Sequence, residues 1–130
     1  MAITGNVIGI DFDGTVVTHE YPHMGEDAGA TEVLKELVEN KNRLVLITMR
    51  SGRLLEKAKQ WFAERNIPLW AINTNPDQKR WTESPKVYAN LYIDDSALGC
   101  PLKVVDNCSR PVADWVKIRE QLVRDGYLDE

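Results

Sequence analysis

Positive charge is in short supply in this chain. Sixteen Lys and Arg stand against twenty Asp and Glu, a formal net charge of −4, so no broad nucleic-acid surface is expected. Long apolar runs are also missing. No stretch approaches the length of a membrane span, and no signal-peptide pattern precedes Val7. Cysteine is scarce, with only Cys100 and Cys108. Two thiols read as free groups in a reducing compartment, which points to the cytoplasm rather than to a disulfide framework. Combined with His19 and His23 they fit no standard zinc spacing. No internal repeat, low-complexity segment or linker divides the 130 residues. One domain over 1–130 is expected, long enough for a sizeable core.

What is present is an alternation of two hydrophobic periods. Val7–Ile10 reads as a short buried strand. Val33, Leu34, Leu37 and Val38 recur at helical spacing between Thr31 and Asn40. Leu44–Ile47 is a second apolar strand, followed by a helix from Ser51-Gly52 with a stripe of Leu54, Leu55, Ala58, Trp61 and Phe62. Leu69–Ile72, Leu91–Ile93 and Leu102–Val105 read as further strands, and a last helix is expected from Pro111, as its first residue, to near Gly126. Strands that are apolar throughout and alternate with helices predict a parallel sheet covered on both faces. Trp61 and Trp115 fall on helical stripes and are expected in the core. Trp81 falls on none, which suits an interface anchor or a substrate platform.

Ligands in such a sheet bind beyond the carboxyl ends of the strands. Asp11 and Asp13, Thr48, Asn73, and Asp94 and Asp95 all stand at those ends. Close carboxylates repel and desolvate badly, so a cation is the expected resolution. Asp11 and Asp94 can each give an oxygen to one Mg²⁺, which takes oxygen ligands and usually keeps waters and a substrate phosphate. Thr48 offers a hydroxyl. The Thr48-Met49-Arg50-Ser51-Gly52 turn opens a helix, so its N–H groups can face an anion. Lys86 offers a positive charge. Arg50 either binds substrate or pairs with an acid; Asp95 either joins the site or caps a following helix. His19 and His23 either line the site or are solvated loop residues.

Four stretches in order carry a family resemblance: Asp11-Phe12-Asp13-Gly14-Thr15, Leu46-Ile47-Thr48, Lys86, and Ile93-Asp94-Asp95. Across roughly residues 6–106 the chain resembles the haloacid dehalogenase (HAD) superfamily. Tyr21-Pro22-His23-Met24-Gly25, Thr48-x-Arg50-x-Gly52 and Ser84-Pro85-Lys86-Val87-Tyr88 are similar to its small, poorly characterised members. The resemblance implies a Rossmann-like three-layer α/β/α sandwich around a mainly parallel five-stranded sheet. It implies a Mg²⁺-dependent phosphohydrolase working through an aspartyl-phosphate. Asp11 would be the nucleophile. Asp13 would be acid and then base, and would lend its carbonyl to the metal. Thr48, with Met49 and Arg50 beside it, would hold the phosphoryl group. Lys86 would offset charge, Asp94 would bind metal, and Asp95 would support the metal shell or Lys86.

No interval is long enough for a folded cap domain. A short flap at about 14–27 and a loop at 73–86 stand where caps would enter. The site is therefore expected to be open, taking a large phosphorylated substrate or a small one covered by a second copy of the chain. The same intermediate would serve a phosphotransferase or phosphomutase. A receiver-type signalling domain also uses Asp, Thr, Lys and Mg²⁺, but with its acidic pair after the first strand and its phosphorylated Asp after the third. A phosphate-binding module without catalysis is the remaining alternative.

Overall fold

The computed structural model describes residues 5–108 and 110–130. Strand β1 (Val7–Asp11) leads to helix α1 (Thr31–Glu39), β2 (Arg43–Ile47), α2 (Gly52–Glu64) and β3 (Ala71–Ile72). A long crossover containing one 3-10 turn, Gln78–Arg80, returns to β4 (Leu91–Ile93). Then come β5 (Leu102–Lys103), β6 (Val112–Ala113) and α3 (Trp115–Arg124). The main sheet has four parallel strands in the order β3-β2-β1-β4.

Two expectations about the sheet are corrected. The fifth strand does not join it: Leu102–Lys103 pairs antiparallel with Val112–Ala113 in a separate two-stranded sheet. Nor does the last helix start at Pro111. Val112 and Ala113 are fully buried strand residues, and Asp114 caps the helix by accepting from Lys117 N–H at 3.2 Å. A proline with φ near −65° suits the position before a strand as well as a first helical turn.

The two faces of the sheet are covered differently. Ile8, Ile10, Leu44 and Leu46 share one face, because alternate strand residues do. They form one cluster with Val33, Leu34 and Leu37 of α1, Ala58, Trp61 and Phe62 of α2, and Trp115, Ile118 and Leu122 of α3. A bidentate Arg119–Glu36 pair, 2.8 Å on each arm, ties α3 to α1. The other face, Val7 and Val45, is closed by Ala89 with Val87, Trp70 and Ala71. Among the described residues no helix lies there. The expected third layer is a loop, because the segment from β3 to β4 is too rich in polar and turn residues to form an amphipathic helix. The mainly parallel α/β sheet, flanked by three α-helices, stands.

Register positions the site. Ile10 sits beside Ile93 and Asp11 beside Ile47. Asp11 and Asp94 therefore leave neighbouring strands side by side, with Thr48 one residue past β2 on the other flank. Strands about 4.8 Å apart leave little room for two carboxylates to avoid each other.

Candidate active site

Phe12 separates the first two acids. It is fully buried and packs on Trp61 and Phe62, with ring centroids 6.0 and 5.7 Å away. Drawing Phe12 into the core leaves Asp11 and Asp13 to point elsewhere, and they part company. Asp11 turns toward β4. Carboxylate oxygens of Asp11, Asp94 and Asp95 all lie within 4.8 Å of one another. Asp13 turns toward α2, where Arg50 Nε and Nη2 donate to its two oxygens at 2.8 and 2.7 Å.

Arg50 is accordingly not placed as a phosphate ligand. Its side chain is fully buried. It also donates to the carbonyls of His23 (2.9 Å) and Leu54 (3.3 Å), and its guanidinium lies over Phe12 and Tyr21. Of the two readings its position allowed, pairing with an acid is the one observed. The turn expected to meet the phosphate keeps its shape by other means. Thr48 Oγ1 accepts from Arg50 N–H at 3.1 Å. Asn73, at left-handed φ 53°, accepts from Thr48 N–H and donates to Thr48 C=O, at 2.9 and 3.0 Å. Met49 is almost fully exposed, and among the described residues nothing accepts a hydrogen bond from its N–H.

The acid cluster is held from behind by residues that spacing alone did not single out. Thr15 Oγ1 accepts from Asp95 N–H at 2.9 Å and has one proton to give. That proton lies 2.8 Å from Asp11 Oδ2 and 3.1 Å from Asp95 Oδ1, measured from the oxygen. The Asp-Gly-Thr order was the available signal, a hydroxyl four residues after the first acid. His19 Nε2 sits 3.0 Å from Asp95 Oδ2, with both side chains largely buried. Gly14 makes the contact possible: at φ +86° it occupies the region that favours glycine, and a Cβ there would lie 2.0 Å from the His19 ring. His23 is exposed, and only its carbonyl takes part. Asp95 caps no helix, since a turn follows it.

Burial is the main force on Asp11. Together with the charges of Asp94 and Asp95, and against the Thr15 hydrogen bond, it pushes the Asp11 carboxyl up from 3.8 to about 8. Among the described residues no Lys or Arg relieves this. Lys86 is exposed, makes no ion pair among the described residues, and rests with Nζ 5.9 Å from the Tyr92 ring centroid. Cys100, beside the same acids, has its thiol pushed up by burial and by their charge. Both cysteines are free thiols, and no helix is long and apolar enough to cross a membrane.

A solved structure of a conserved protein from Bacteroides thetaiotaomicron is similar to this one, with TM-score 0.74 and 34% sequence identity over 94% of this chain and 92% of that chain. This chain belongs to the family of that conserved protein. No family model matches the sequence, and no curated protein does. The described name of the Bacteroides protein carries no activity, so what the family does has to be argued from the site.

Proposed function

We propose that the protein is a capless Mg²⁺-dependent phosphohydrolase of the HAD type, working through an aspartyl-phosphate on Asp11. The observation that carries this reading is the trio Asp11, Asp94 and Asp95 at the strand ends, which no Lys or Arg joins among the described residues. Three half-buried carboxylates this close are costly unless a cation joins them. An all-oxygen donor set suits a hard divalent ion such as Mg²⁺. Asp11 and Asp94 would hold it, Asp13 would add its main-chain carbonyl, and Asp95 would support the set from the Thr15 and His19 side. When bound, the ion would neutralise the acids and draw a phosphate oxygen toward Asp11.

The chain's own groups then have defined tasks. Asp11 must be ionised to attack, and burial with the charges of Asp94 and Asp95 favours its protonated form until a cation joins them. Its oxygen forms the new bond to phosphorus while the ester P–O bond breaks. Thr48 and the Met49 N–H would receive the phosphoryl oxygens beside the start of α2. The leaving oxygen takes a proton from Asp13, which later takes one from the attacking water. For Asp13 to hand on a proton, one of its two bonds to Arg50 has to open. Lys86 would swing from the Tyr92 ring to the bound dianion.

The test is turnover of p-nitrophenyl phosphate with Mg²⁺. Asp11→Asn keeps the size and loses the attacking charge, so the rate should fall about a thousandfold or more. Parent-like turnover in a folded Asp11→Asn protein would refute the covalent mechanism.

A further inference from the structure

The segment joining β3 to β4, residues 73–90, has only one short 3-10 turn. Uncommitted loops of that length inside a compact domain are unusual and are commonly functional. This one is also held in a fixed shape. Gln78 is buried, donates to the carbonyls of Ser84 and Lys86 at 3.1 and 2.9 Å, and accepts from Tyr88 N–H at 2.8 Å. Asn75, equally buried, donates to Tyr88 C=O at 3.0 Å and accepts from Asp77 N–H at 2.9 Å. Two buried amides thus pin the far arm of the loop against the near arm. The arms do not collapse on each other. They enclose a groove of about 580 Å³, within the size range of small-ligand sites.

The groove adjoins the candidate phosphate site at two points. Asn73, which brackets Thr48, lines it, and so do Pro85 and Val87 on either side of Lys86. Besides Asn75 and Gln78, its wall includes Thr74, Lys79, Thr82, Glu83 and Ser84. Hydroxyls and an amide supply paired donors and acceptors, while one Lys and one Glu cancel in charge. Pro85, Val87 and the threonine methyls set apolar patches among these polar groups, a mixture that suits a sugar ring with its C–H faces and hydroxyl rim, and a polyanion would find no net attraction.

We propose that this groove binds the leaving-group half of the substrate, and that this half is a polyhydroxylated sugar. The substrate class is then a sugar phosphate, its phosphate at Thr48 and Lys86 and its ring hydroxyls on Thr74, Lys79, Glu83 and Ser84. The proposal rests on the phosphohydrolase reading for the phosphate end and on the groove alone for the sugar end. Preorganisation by Gln78 and Asn75 means that little ordering is required on binding.

Two measurements separate the ends. In the first, calorimetry of the Asp11→Asn protein with Mg²⁺ compares glucose 6-phosphate with phenyl phosphate, so that binding is read without turnover. The sugar ester should bind at least about tenfold tighter, and Lys79→Gln/Glu83→Gln should erase that preference while leaving inorganic phosphate binding unchanged. In the second, methyl glucoside without phosphate is titrated into the parent protein and followed by NMR. Amide shifts at Thr74, Thr82 and Ser84 are expected. Absence of those shifts, or an equal preference for phenyl phosphate, overturns the sugar assignment even if p-nitrophenyl phosphate is hydrolysed. Shifts at the groove with no hydrolysis of any ester would instead refute the phosphohydrolase reading and leave the groove standing.

Discussion

Asp11 and Asp13 belong to one five-residue stretch yet live in opposite electrostatic surroundings. Asp13 meets a buried guanidinium that grips both of its oxygens. Asp11 meets two more carboxylates and one shared hydroxyl. The first arrangement is closed within the protein, with charge matched and donors satisfied. The second is left open, and burial makes the imbalance worse. A fold that places an arginine against one acid, and only a hydroxyl and an imidazole against the three others beside it, has a region organised for something that comes from outside. That contrast, more than any single contact, argues for a cation.

Removing the arginine is the harshest way to break the contrast. Arg50→Met leaves Asp13 without its partner and drops the bonds to His23 and Leu54, so a loss of about 3 kcal/mol is expected in urea unfolding. Adding Asp13→Asn to Arg50→Met should recover part of it, because a neutral amide needs no counter-charge. A change below about 0.5 kcal/mol in Arg50→Met would mean that the pair is not closed as described.

Gly14→Ala attacks the other side. The new methyl needs the space of the His19 ring and a backbone that L-residues disfavour. Destabilisation of about 2 kcal/mol is expected, with weaker cation binding because Asp95 loses its fixed neighbour. His19→Ala combined with Gly14→Ala should return the part due to collision but not the part due to φ.

The mildest change sharpens the comparison by pH. Asp11 titrates at 3.8 when ordinary and at about 8 when folded, so over that interval the folded state holds the extra proton. Stability of the metal-free protein should therefore fall as pH rises from about 4 to about 8, and level off above. Asp11→Asn, which cannot ionise, should flatten that slope and be more stable than the parent at pH 8. Parallel pH curves for the two proteins would contradict the crowding.

Much of this was legible in the residues. Apolar runs such as Val7–Ile10 and Leu44–Ile47 could only be buried strands, and the acids after them marked the working edge. The boundaries of α1 and β4 were readable for the same reason: Val38 and Ile93 are the last apolar residues before polar breaks. What failed was pairing. Leu102 and Lys103 have the composition of a strand, but nothing local says which partner they take, and the partner Val112–Ala113 was hidden behind a proline that suits two structures. The role of Arg50 was undecidable at the sequence level, because a long side chain beside a helix start reaches inward or outward according to what Phe12 and Tyr21 leave room for. The groove could not be foreseen at all. It depends on Gln78, a polar residue whose burial follows from three hydrogen bonds across its own loop.

Mg²⁺ titration of the metal-free protein, by calorimetry and by thermal midpoint at pH 7, tests the central claim most directly. The account predicts one site, proton release on binding as Asp11 ionises, and a stabilisation of about 2.7 kcal/mol at a hundredfold excess over Kd. It predicts that Asp94→Asn abolishes most of that stabilisation. Absence of Mg²⁺ binding, or equal stabilisation of the parent and Asp94→Asn proteins, would contradict it.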